Sequence, residues 1–183
     1  MEPHKGREFA PGLSFMDAIF SVHHNPPMKL ITTTQGLDPR PGLALSETVG
    51  IDLPAADPSL PSNWHALLPD LGRVRDLFDK HVDRLDEMEV LIATGENLPL
   101  PYLDLARTRL LAPIILPSKI IAVGLNYRDH AEEQNKKLPA KPLLFSKATT
   151  CLQAPGLPIE LPEDLKQVDA EGELAVVIGK PGR

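Results

Sequence analysis

Apolar and polar residues follow two rhythms along this chain. Between residues 70 and 95, Val74, Leu77, Phe78, Val82, Leu85 and Met88 recur at steps of three and four. That spacing puts them on one stripe of a helix. Arg75, Asp76, Asp79, Lys80, Asp83 and Glu87 occupy much of the remainder and read as a solvated face, not a binding patch. The pattern predicts one long helix stopped by Gly95, because glycine accepts the left-handed backbone that closes a helix. Elsewhere the apolar runs are short and bounded by proline and glycine, which is the rhythm of strands and turns. Strands are predicted at 28–34, 43–45 and 49–53, with a turn at Ser46-Glu47. Residues 54–69 read as a loop whose Trp64 packs on the core, and the stretch through Pro99 and Pro101 to Pro117 reads as a connection.

From Lys119 the character changes. Ile120-Ile121-Ala122-Val123 predicts a strand ending at Gly124, and residues 126–134 suit a short helix. Leu143-Leu144-Phe145 predicts a strand ending near Lys147, and residues 159–161 a shorter one between prolines. The last apolar run, Leu174-Ala175-Val176-Val177-Ile178, reads as a buried strand preceded by Glu171-Gly172-Glu173. Side chains alternate along a strand, so the two glutamates share a face. Paired carboxylates at a core edge need a proton, basic partners or a divalent cation, and carboxylate oxygens suit Mg, Mn or Ca. The alternative is a strand that surfaces at residue 173 and leaves both glutamates in water.

Composition narrows the picture. The chain has 183 residues, 42% hydrophobic and 24% charged, ordinary values for a globular protein. Twenty prolines punctuate it, which favours short strands and ordered turns. A formal net charge of -6 argues against nucleic acid and anionic membranes as partners. Cys151 is the single cysteine, so no internal disulfide and no cysteine zinc site are expected; it reads as a small buried filler. With no signal-peptide core at the N-terminus, a cytoplasmic protein is expected. Residues 1–27 read as a flexible N-terminal arm, His23-His24 included.

Chemistry concentrates in the second half. Asn126 to Glu133 follows directly on a strand end, where loops are held by a rigid scaffold. On a helix, His130 and Glu133 lie three apart on one face. A carboxylate beside imidazole raises its basicity, which suits a general base acting on water; the plain alternative is a solvated acidic turn. Lys147, at a strand end, is either a site for an anionic substrate group or an exposed lysine.

Three segments, taken together, resemble the fumarylacetoacetate hydrolase family. They are Lys119-Ile-Ile-Ala-Val-Gly-Leu-Asn-Tyr-Arg-Asp-His-Ala-Glu-Glu133, Lys141-Pro-Leu-Leu-Phe-Ser-Lys147 and Asp169-Ala-Glu-Gly-Glu-Leu-Ala-Val-Val-Ile-Gly-Lys180. The resemblance covers roughly residues 110–183, with a weaker likeness back to Met28. It implies a β-rich α+β fold: a mixed β-roll catalytic domain, incomplete here, at 113–183, after a small α+β N-terminal domain at 28–112. It implies Glu171 and Glu173 as metal ligands for Mg2+ (or Mn2+, Ca2+), His130 and Glu133 as a water-activating dyad, and Lys147 near the substrate. It also implies a homodimer in the full-length form that hydrolyses, cleaves, decarboxylates or isomerises small oxo-acids such as acylpyruvates. In the family a third ligand, an aspartate, lies further along, so the chain is expected to be a C-terminally truncated member. An inactive remnant or interaction module is the competing expectation.

Overall fold

The computed structural model describes residues 27–35, 37–180 and 182; of Gln35 and His130 it describes the backbone only. The arm predicted at 1–27, with its His pair, thus lies almost wholly outside the described residues. The architecture is mixed α+β and rich in sheet. Strands β1 (Lys29–Gln35), β2 (Asp38–Ala44), β3 (Val49–Asp52), β4 (Tyr102–Asp104) and β5 (Leu110–Leu111) form one antiparallel sheet in the order β4-β3-β2-β1-β5. The turn at Ser46-Glu47 lies between β2 and β3, as its composition predicts. Strand β2 begins earlier than expected and carries Pro39 and Pro41. Both pair with β1, while β3 reaches only Gly42 to Ala44. The two prolines are two residues apart, so their missing donors point to the same side, and among the described residues no strand pairs with them on that side.

Helices cover this sheet. Helix α1 (Leu53–Ala56) is capped by Asp52, whose Oδ1 accepts the Ala55 N–H at 2.8 Å. Asp52 is fully buried, and Arg40 forks onto it with Nε at 2.5 Å and Nη2 at 2.7 Å. Helix α2 (Trp64–Leu67) is capped by Asn63. The region predicted as a loop at 54–69 therefore contains two single-turn helices, each started by a capping side chain. Trp64 is buried as expected, and its Nε1 donates to Thr32 Oγ1 at 3.0 Å.

The long helix predicted at 70–95 is two helices, α3 (Gly72–Val82) and α4 (Leu85–Thr94). A straight helix over that span would run about 39 Å. The five-stranded sheet is only about 19 Å across. The break at Asp83-Arg84 lets Phe78 of α3 and Met88 of α4 enter one core with Leu43, Val49 and Ile51. Gly95 closes α4 at φ 76°, as its position predicts. The connection expected at 99–117 supplies β4 and β5, strands too short to leave a periodic signature.

A second, separate sheet pairs β6 (Ile120–Gly124) with β7 (Leu143–Lys147). Helix α5 (Arg128–Glu133) lies between them in sequence, and a 3-10 turn at Thr149–Cys151 follows. Two expected strands are absent. Residues 159–161 and 174–178 adopt no regular structure. Leu174, Val176 and Ile178 are 66%, 75% and 77% exposed. An extended segment becomes a strand only by pairing with a neighbour, and no such pairing forms here among the described residues. Cys151 is exposed, not buried. No helix of the described residues is long and apolar enough to cross a membrane.

Candidate functional site

The candidate site is built where β6 ends. Gly124 closes the strand, and Leu125 turns the chain with φ 51°, a left-handed backbone that a leucine adopts only at a cost. Asn126 and Tyr127 follow on the turn, and α5 begins at Arg128. The Ala131 N–H donates to Tyr127 O at 3.2 Å, and Ala131 is 1% exposed, which pins the helix to its surroundings. The helix is real, so residues 130 and 133 have the spacing of a one-face pair. Glu133 is exposed; the His130 side chain lies outside the described residues.

The acidic segment meets this turn directly. Leu174 N–H donates to Tyr127 Oη at 3.1 Å. The Asn126 side-chain amide, with its nitrogen facing the two acceptors, donates to Glu173 Oε1 and to Val123 O, both at 3.2 Å. At the other end of the segment, a Cβ on Gly179 would lie 2.9 Å from Leu68 O, so the chain passes close to the end of α2. The 174–179 stretch is bonded at its start and passes close to α2 at its end without belonging to a sheet.

Glu173 and the opening of α5 are thus brought together. Glu171 is exposed on the same segment. The expected common face of Glu171 and Glu173 does not follow from a strand, since none forms. Lys147 is not brought to the turn. It pairs with Ile120, whereas Gly124 pairs with Leu143. Four strand residues separate the two ends of the ribbon by about 13 Å. Two clefts lie elsewhere, one of about 370 Å³ beside Arg109 and one of about 180 Å³ beside Arg40 and Trp64, and neither is lined by any of the predicted site residues.

Glu171 and Glu173 are hard oxygen donors, the type that Mg2+ and Mn2+ accept. No group of three or more His, Cys, Asp or Glu side chains gathers among the described residues. The donor chemistry fits a magnesium-like ion held by one or two carboxylates, with water completing the shell. Sequence reasoning assigned no role to Asn126 or Tyr127, although both stand in the motif. The available signal was their position immediately after a strand-terminating glycine.

Comparison with known proteins gives the family likeness of this region. Residues 119–183 match the family model described as fumarylacetoacetate (FAA) hydrolase C-terminal. A mitochondrial oxaloacetate tautomerase of Xenopus laevis is 35% identical over 159 residues, covering 85% of this chain and 46% of that protein. A human mitochondrial oxaloacetate tautomerase is 44% identical over 84 residues, covering 46% of this chain and 27% of that protein. The chain spans about half the length, or less, of the curated relatives it matches. A solved structure assigned as an HpcE protein of Mycobacterium smegmatis aligns with 24% identity and a TM-score of 0.47, covering 73% of this chain and 41% of that one. Residues 119–183, which hold β6, α5, β7 and the acidic segment, are thus a fumarylacetoacetate hydrolase family segment.

Proposed function

We propose that the protein takes part in metal-dependent chemistry on small oxo-acids: hydrolysis or C–C cleavage, decarboxylation, or isomerisation. The observation that carries this reading is the contact of Glu173 with Asn126, which joins the acidic segment to the turn that opens α5. In this reading residues 28–112 are an N-terminal α+β unit, and 113–183 contribute part of a mixed β-roll catalytic domain. The relatives named as oxaloacetate tautomerases support an oxo-acid substrate.

Glu171 and Glu173 are the proposed ligands of Mg2+, with Mn2+ or Ca2+ as substitutes. When bound, the cation supplies electrostatic stabilisation of charge that develops on the substrate oxygens. His130 is assigned the proton transfer, taking a proton from water in hydrolysis or from the carbon beside a carbonyl in isomerisation. Glu133, one turn along α5, is assigned to orient the imidazole and raise its basicity. Lys147 is proposed to meet an anionic group of the substrate.

The test is Mg2+ calorimetry on the protein, together with assays on oxaloacetate and a small panel of acylpyruvates. Glu171→Ala and Glu173→Ala are expected to remove Mg2+ binding and bring turnover down to the background rate. Full activity in both variants would overturn the ligand assignment.

A further inference from the structure

Among the described residues the acidic segment pairs with no strand, and two side-chain contacts meet it instead. They involve consecutive residues on each partner: 126 with 173, and 127 with 174. We propose that Asn126 and Tyr127 are positioning residues, Asn126 fixing one oxygen of Glu173 and Tyr127 holding the Leu174 amide, so that Glu173 is presented to a cation through its second oxygen. The cation part of this inference rests on the function proposed above.

The chemistry at Asn126 is specific. A carboxylate accepts hydrogen bonds and an amide NH2 donates two. Both donors of Asn126 are used, one on Val123 O at the end of β6 and one on Glu173 Oε1. The amide therefore ties the carboxylate to the rigid strand through a single planar group. Leucine, aspartate or alanine at 126 could not make that bridge, and an aspartate would set a second negative charge against Glu173. Glu173 Oε2 has no protein partner among the described residues. A carboxylate with one oxygen already held loses less rotamer freedom when the other binds a cation. Tyr127 fixes the backbone one residue later, which limits how far the Glu173 side chain can swing. The left-handed backbone at Leu125 fits this role: the strain is spent on aiming the next two side chains back toward the acidic segment.

The experiment uses the full chain with 15N labelling and Mn2+ as the probe. In the metal-free protein, Tyr127→Phe is expected to speed amide exchange at Leu174 about tenfold, as the loss of one hydrogen bond does. Glu173→Ala is expected to shift the side-chain NH2 signals of Asn126. On adding Mn2+, the amides of residues 171–174 are expected to broaden, and Asn126→Ala is expected to weaken Mn2+ binding about fivefold with unchanged far-UV circular dichroism. Unchanged Leu174 exchange in Tyr127→Phe, with unmoved Asn126 signals in Glu173→Ala, would overturn the inference. Mn2+ binding that is lost in Glu173→Ala but undiminished in Asn126→Ala would also overturn it, while leaving the metal reading intact. Intact contacts with no Mn2+ broadening in the unmodified chain would overturn the metal reading and the cation part of the inference, and would support the contact part alone.

Discussion

Two runs of similar sequence have opposite fates in this molecule. Val49-Gly50-Ile51 lies in an inner strand of a five-stranded sheet covered by helices, and Ile51 is 0% exposed. Val176-Val177-Ile178 lies in the open, and Ile178 is 77% exposed. Both runs are apolar, and five of their six residues are β-branched, Gly50 being the exception. The difference is the number of layers around them. Residues 27–112 form a sheet with helices laid on it, the arrangement that gives an apolar face something to bury against. Residues 119–180 provide a two-stranded ribbon, one short helix and extended chain. Phe145 in β7 is 48% exposed and Leu144 is 61% exposed, so even the paired strands keep their apolar side chains in water. Apolar content states a demand for burial; only neighbouring elements meet it.

Substitutions can sharpen that contrast. The largest effect is expected at Phe78, 2% exposed at the centre of the helix-covered sheet. Phe78→Ala removes buried contacts and leaves a cavity, and should cost about 3–5 kcal/mol in urea unfolding. Next comes Asp52→Asn, which breaks the fork with Arg40 and leaves that guanidinium, three-quarters buried, without its counter-charge. About 3 kcal/mol is expected by the same measurement, because a stranded charge costs more than the pair contributes.

A smaller effect, confined to the acid side, is expected from His81. Its ring is buried, Nδ1 lies 2.9 Å from Tyr102 Oη, and Nε2 is buried without a hydrogen-bond partner among the described residues. Burial pushes its pKa below the usual value, with Lys80 and Arg84 adding to the shift. The folded state therefore resists protonation where the unfolded chain accepts it. The contribution is intact above the unfolded pKa of about 6.5 and declines as pH falls below it toward the lower folded value. His81→Gln should flatten the stability profile in that window. An unaltered profile would show that the buried imidazole is not what the acid side titrates. The smallest effect is expected at Ile178→Ser, under about 0.5 kcal/mol, since the side chain is already in water. A loss of 2 kcal/mol or more there would mean that the segment is buried in solution, and the contrast between the two regions would fail.

Legibility in the sequence follows the same division. Strand β1, the turn at Ser46-Glu47, strands β6 and β7, helix α5 and the stop at Gly95 all announce themselves locally. Each is made by near neighbours: a period, a turn, a cap. The break between α3 and α4 does not, because the stripe from Val74 to Met88 is continuous in sequence and the core that Phe78 and Met88 share is completed by strands distant in sequence. The caps at Asp52 and Asn63 were readable residue types hidden by a proline-rich stretch. At the site, Glu173 and the turn before α5 stand out as motifs, but their hydrogen-bonded contact spans 47 residues and has no local signature.

The amino-acid sequence by itself determined which residues are candidates for chemistry, the family likeness of residues 119–183, and the type of most elements, because these depend on side-chain identity and short-range spacing. Tertiary structure alone decided which apolar runs are buried, where the long helix divides, that Lys147 sits at the opposite end of the ribbon from the turn, and that Asn126 and Tyr127 hold the acidic segment. Those outcomes depend on which distant groups come within a few ångströms of one another, and no local period or motif encodes that.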